Sequence, residues 1–160
     1  MLPSLGQTEP TDEHNIRRSP MKSVARWKAF NEYYNSIPVA DRIQAIRAGF
    51  SANHLHALAE TLNVPQAVIF RLVGLSPSAA KRRITLNWNL SPSASERLLQ
   101  IGVVETRTVA VFGSADRAHE WLRTRNLSLG NVSPLSMLDT GPGTQEVARI
   151  LNAIEHGGTA

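Results

Sequence analysis

Apolar residues in this chain recur at steps of three and four, and no stretch longer than a few residues alternates with period two. A three-to-four step lines one face of a helix and cannot line one face of a strand, so the chain is expected to be all-α. SVARWKAFNEYYNSIP places Val24, Trp27, Phe30 and Tyr34 on one stripe before Pro38 stops it. DRIQAIRAGF repeats the pattern with Ile43 and Ile46 and ends at Gly49. SANHLHALAETLNV follows, with Ser51 expected as the N-cap and Leu55, Leu58 and Leu62 on one face.

PQAVIFRLVG and LSPSAAKRRI then predict two short helices, 65–73 and 77–85, joined by Gly74-Leu75-Ser76. Pro65 suits a first helical turn, Gly74 a stop, and Ser76-Pro77 an N-cap followed by N1. This is the spacing of a helix-turn-helix, with Ile69, Val73, Leu75 and Ala80 available to pack the pair. The second helix begins with small residues, which let a backbone approach a groove, and continues into Lys81-Arg82-Arg83. Arginine can fork onto guanine edges or phosphates, so the candidate DNA-binding residues are Ser76, Ser78, Lys81, Arg82 and Arg83. Phe70 stands where such motifs usually keep alanine. Three adjacent basic residues are also what an ordinary solvated helix face carries.

Charge separates the two halves of the chain. Residues 17–90 hold 11 of the 17 Lys and Arg against Glu32, Asp41 and Glu60 alone, a balance of +8. From 91 onward six basic residues face seven acidic ones. A basic first half is an electrostatic footprint for nucleic acid, and the near-neutral second half calls for another partner. The lack of cysteine excludes disulfides, thiolate metal sites and a cysteine nucleophile. No apolar run approaches the roughly 18 residues a membrane helix needs, and no secretory signal is visible, so a cytoplasmic protein is expected. Residues 1–22, polar and punctuated by Pro3, Pro10 and Pro20, read as a disordered arm. Domains are expected at 23–90 and 91–160.

In the second half, Ser91-Pro92 opens a long helix through Phe112, with Gly102 in its middle at a cost of about 1 kcal/mol relative to alanine. Gly113-Ser114 separates it from ADRAHEWLRTR, which buries Ala118, Trp121 and Leu122. Ser133-Pro134 starts a single turn anchored by Leu135 and Leu138. Thr140 to Gly143 are read as a hinge into a last helix carrying Val147, Ile150, Leu151 and Ile154, which stops at Gly157-Gly158. Catalytic chemistry is not expected. His54 and His56 lie roughly 200° apart around a helix axis, too far to share a metal, and read as surface residues. His119 and Glu120 have no metal-site context, and His156 either caps the last helix or faces a partner. GPGT lacks the lysine of a phosphate-binding loop and follows no strand. No cofactor and no metal are expected.

The segment Val111–Gly157 resembles the toxin-binding domain of the Xre, MbcA and ParS antitoxins, best known from RES–Xre toxin–antitoxin pairs. The resemblance rests on Trp121, Leu122, Asn126, Leu129, Gly130, Pro134, Leu135, Leu138, Thr140, Gly143 and Val147. The LSPSASERL segment and the basic helix-turn-helix resemble the same family's first half. Two positions depart from it: Asn131 replaces a frequent second glycine, and Gly-Pro follows Thr140 where relatives often carry an acidic residue. The N-terminal 35 residues match nothing in it.

The resemblance implies a DNA-binding antitoxin with an Xre-like helix-turn-helix followed by a small helical toxin-binding domain. It implies a RES-type, NAD-degrading toxin as partner, blocked at its active-site mouth by the antitoxin's C-terminal end, and operator DNA bound by a homodimer. The toxin-facing residues it implies are Asn126, Leu129, Gly130, Arg149, Asn152, Glu155, His156, Gly157, Gly158, Thr159 and Ala160, with Glu155 and His156 free to enter a polar pocket. Two other functions fit the same architecture: a stand-alone helix-turn-helix regulator, and an interaction or polar-localisation module.

Overall fold

The computed structural model describes residues 20–158. Among these it contains eight α-helices, two 3-10 turns and no strand. The helices are α1 (Pro20–Ser36), α2 (Val39–Ala48), α3 (Asn53–Leu62), α4 (Gln66–Leu72), α5 (Pro77–Thr85), α6 (Pro92–Phe112), α7 (Ala115–Arg123) and α8 (Gly141–Glu155). The 3-10 turns, Leu127–Leu129 and Pro134–Met137, lie between α7 and α8. The expected arm over 1–22 falls outside the described residues except at its end, where α1 already begins at Pro20, a residue tolerated in a first helical turn.

Local chemistry sets most boundaries. The Ser76, Ser91, Ser114, Ser133 and Thr140 side chains each accept a hydrogen bond from the amide three residues on. Ser51 precedes Ala52, which is already in helical conformation, and its Oγ accepts from Asn53 N–H at 3.3 Å at the start of α3, as the sequence leads one to expect. Just before α3, Ser51 bridges antiparallel to Asn89, with Leu90 N–H donating to the Phe50 carbonyl at 2.8 Å and Ala52 N–H to the Trp88 carbonyl at 3.1 Å. This short antiparallel clasp ties the end of α5 back to the start of α3.

One buried cluster runs from Trp27 to Leu151. Helix α6 is its axis and packs against α1, α2, α7 and α8. Gly102 is where α1 comes closest: a Cβ there would lie 3.3 Å from the Trp27 ring and collide with the Asn31 amide. The mid-helix glycine therefore serves close packing. Above it, Glu105 is buried and accepts from Trp27 Nε1 at 2.9 Å, Asn31 Nδ2 at 2.8 Å and His119 Nε2 at 2.8 Å.

Two expectations need correction. The GPGT segment is not a hinge before the last helix, because Gly141, Pro142 and Gly143 form the first turn of α8 under the Thr140 cap. A Cβ on Gly143 would fall 2.1 Å from the Met137 carbonyl oxygen, so the glycine lets α8 start directly against the preceding 3-10 turn. His54, in turn, is not a surface histidine. Its ring lies 4.2 Å from that of Phe30, in a cluster with Tyr34 and Phe50, and its Nδ1 is buried without a hydrogen-bond partner.

Burial, assisted by the nearby Arg26 charge, pushes the His54 pKa down to about 4. Above about pH 6.5 the imidazole is neutral in the folded and unfolded chains alike. As the pH falls through 6.5 toward 4, only the unfolded chain takes up the proton, and stability drops by an amount on the order of 3 kcal/mol. Urea unfolding of wild type and His54→Phe at pH 7 and pH 4.5 should show this extra loss in the wild type alone. Parallel losses in both chains would show that His54 titrates like an unfolded residue.

Candidate DNA-facing and partner-facing surfaces

The α4–α5 unit is built as the sequence predicts. A Schellman pair ends α4, with Leu75 N–H bonded to the Phe70 carbonyl at 2.8 Å and Gly74 N–H to the Arg71 carbonyl at 3.0 Å. This arrangement needs the positive φ of Gly74, +77°. Ile69, Val73 and Ala80 are buried where the two helices meet, with Leu75 partly buried beside them. Phe70 is fully buried in the main cluster, so the bulky side chain enters the core.

The five candidate DNA-binding residues are not equivalent. Ser76 is occupied as the cap, its Oγ accepting from Ala79 N–H at 3.2 Å with the Ser78 Oγ 3.3 Å away. Ser78, Lys81 and Arg82 are exposed, and with Thr85 they share one face at steps of three and four. Arg83 leaves that face: half-buried, it donates from Nη1 to the Asn89 carbonyl at 2.7 Å and braces the clasp. The expectation of three basic residues on one open face is corrected by the 100° turn per residue, which sends Arg83 around the helix. Arg82 sits 5.3 Å over the Trp88 ring, a cation–π contact that holds the guanidinium at the surface.

Sequence reasoning missed Thr85, Trp88 and Arg97. Helical periodicity from Ser78 would have found Thr85. The Arg97 guanidinium lies against Gly74, within 2.6 Å of where a Cβ would stand, and only the packing of α6 beneath the turn puts it there.

The second surface surrounds the α7–α8 connection and the end of α8. Asn126 folds a tight loop, its Oδ1 accepting from Ser128 N–H at 2.8 Å and its backbone bridging to Val132. Gly130 and Asn131 close the loop with φ of 74° and 62°, so asparagine takes the left-handed conformation that a second glycine would supply. Leu129 is 7% exposed and belongs to the core, whereas Leu127, 87% exposed, stands at the tip beside Val132. Leu129 therefore cannot present itself to a partner from this loop, and Leu127 can.

On α8, Arg149 grips the Glu146 carboxylate at 2.6 and 3.0 Å, and these bonds hold that carboxyl below its ordinary range. Arg107 of α6 hydrogen-bonds the Asn152 side chain and lies 3.8 Å from Glu155. His156 Nδ1 is 2.8 Å from the Asn152 carbonyl and caps the helix. Glu155 is exposed but not free, contrary to expectation, because Arg107 reaches across from α6; His156 is exposed and takes the capping role, the first of its two expected readings, because the four-residue helical step brings the imidazole onto a carbonyl. Gly157 and Gly158 donate to the Ile154 and Ala153 carbonyls and end the helix. Thr159 and Ala160 lie outside the described residues. Among the described residues, no three His, Asp or Glu side chains are placed to hold a metal ion, and no helix is long and apolar enough to cross a membrane.

Two family models cover most of this architecture: the antitoxin Xre-like helix-turn-helix domain over residues 41–101, and the antitoxin Xre/MbcA/ParS C-terminal toxin-binding domain over 107–157. An antitoxin Xre of Yersinia enterocolitica serotype O:8 / biotype 1B is 31% identical over 116 residues, covering 72% of this chain and 78% of that one. The chain belongs to the Xre antitoxin family. The Prs ADP-ribosylating antitoxin of Sphingobium sp. (strain YBL2) is 31% identical over 141 residues, 82% of this chain and 88% of its own length. An antitoxin Xre of Photorhabdus laumondii subsp. laumondii is 25% identical over 148 residues, 92% and 95% of the two chains. This type II antitoxin thus joins a helix-turn-helix domain to a toxin-binding domain, and the family is not catalytic.

The different duties of adjacent basic residues have a measurable consequence. Arg83→Ala removes a charged hydrogen bond from the clasp and should cost the antitoxin about 1 kcal/mol in urea unfolding. Lys81→Ala, at an exposed side chain with no ion pair among the described residues, should stay within about 0.5 kcal/mol of wild type. Equal effects would show that Arg83 does not brace the 88–90 segment.

Proposed function

We propose that this antitoxin binds operator DNA through α5 and neutralises a cognate RES-type, NAD-degrading toxin through residues 126–160. The observation that carries the reading is the segregation of surfaces: Ser78, Lys81, Arg82 and Thr85 form an exposed stripe on α5, and the near-neutral second half exposes Leu127 and the end of α8. A basic helix face suits phosphates and guanine edges. An exposed leucine on a rigid loop suits a protein partner's apolar pocket.

In this reading residues 23–90 face DNA and 91–160 face the toxin. Leu127 is the loop's anchor, with Asn126 and Gly130 holding it in place. Arg149, Asn152, Glu155, His156 and the tail through Gly157, Gly158, Thr159 and Ala160 cover the toxin's active-site mouth. ADP-ribosylation, the reaction named for the Sphingobium relative, draws on NAD, as NAD degradation does. An NAD-binding toxin is the partner class common to both. Both activities belong in the cytoplasm, where operator and toxin are. One recognition helix reads only a few base pairs, so operator binding calls for a homodimer.

Two tests separate the surfaces. Lys81→Ala/Arg82→Ala should weaken binding to the DNA upstream of its own gene at least tenfold and flatten the salt dependence by about two phosphate contacts. Growth rescue from the co-expressed neighbouring toxin should be unchanged. Conversely, Leu127→Asp combined with truncation after Ile154 should abolish rescue and spare DNA binding. Rescue by that truncated chain would sink the active-site-covering mechanism, and a toxin that modifies protein without depleting NAD would replace the RES assignment.

A further inference from the structure

Helix α2 contributes no fully buried residue, yet it carries Val39, Ile43 and Ile46 along its length. Val39 is 63% exposed and Ile43 41%, and Val103 on α6 is 42% exposed. These side chains, with Leu99, line a groove of about 340 Å³ between α2, α6 and the first turn of α8. The groove holds two opposite charges that do not meet. Arg42 lines it with its Nε buried and unpartnered, and its Nη2 reaches only the Ile37 carbonyl at 3.5 Å. Glu96 lines the same groove and, among the described residues, has no cation within ion-pair distance.

The Arg42 guanidinium has no anionic partner among the described residues, which leaves its charge available to one from outside. An exposed apolar stripe flanked by one cation and one anion is also self-complementary under a two-fold axis. Residue i of one copy meets residue j of the other, and j meets i, so the two charges cross-pair twice.

We propose that this groove is the homodimer interface, where two copies bury Val39, Ile43 and Val103 against each other and each Arg42 pairs with the partner's Glu96. The inference rests on the reading of the chain as a dimeric operator-binding protein and adds the surface that makes the dimer. It also gives the exposed face of α2 a role separate from α5, from Leu127 and from the C-terminal end of α8. DNA and toxin can then be bound without dissolving the dimer.

The test uses full-length chains in sedimentation velocity without DNA. Wild type should sediment as a dimer at tens of micromolar. Arg42→Glu and Glu96→Arg should each weaken the dimer at least about 30-fold, because each places like charges across both pairs. Mixing the two variants should restore a dimer, since the Glu at 42 then meets the Arg at 96 and the native Arg42 meets the native Glu96. Circular dichroism melts of each variant report whether it is folded, and a folded E96R chain that restores R42E cannot be explained by misfolding.

Three results would overturn the proposal: a monomeric wild type, a dimer indifferent to both substitutions, or folded variants that do not recombine. If the dimer behaves as expected while Lys81→Ala/Arg82→Ala still binds DNA at full strength, the operator-binding assignment falls and the interface stands.

Discussion

The Glu105 carboxylate is the interaction on which the rest of the structure depends. A buried carboxylate without partners costs several kcal/mol, and this one collects three donors from two other helices: Trp27 and Asn31 of α1 and His119 of α7. Each donor is well directed only when its helix has one position and one rotation against α6. The close approach at Gly102 meets the same need, since a side chain there would push α1 away from the carboxylate. Apolar burial supplies most of the driving force for collapse. The polar knot selects one arrangement of α1, α6 and α7 from the many that would bury the same leucines.

The two functional surfaces hang from that arrangement. Helix α6 runs from the capping Ser91, beside the clasp that closes the helix-turn-helix, to Phe112, which packs on Trp121 of α7. Arg97 near its start touches the α4–α5 turn, and Arg107 near its end holds α8. Arg71 of α4 also reaches Asp139 at 3.5 Å, joining the helix-turn-helix to the turn that starts α8. That pair is exposed, and exposed pairs contribute about 0–1 kcal/mol. The coupling between the two halves therefore rests mainly on the shared core.

Much of this was legible in the residues. Caps at Ser76, Ser91 and Ser114, the Gly74 turn and the helical stripes are local features, decided within four residues by backbone geometry. The anchors from Trp121 to Val147 announced the C-terminal domain, and Asn131 holds the left-handed turn. The errors fell where a distant segment competes with local preference. The polar ring of His54 is drawn under Phe30 because α1 and α3 meet there. Leu129 and Leu127 are two residues apart and equally apolar, yet only the fold decides that one is core and the other tip.

The sequence by itself determined that the chain is helical, where most helices begin and end, and that its basic charge lies in the first half. Spacing, capping and glycine chemistry act over a few residues and need no partner from elsewhere in the chain. Only the tertiary structure decided which of Lys81, Arg82 and Arg83 remain free, that Glu105 lies at the centre, and that an unpaired Arg42 and Glu96 share one apolar groove. Those outcomes depend on contacts between residues tens of positions apart, set by which helix faces become neighbours once the core closes.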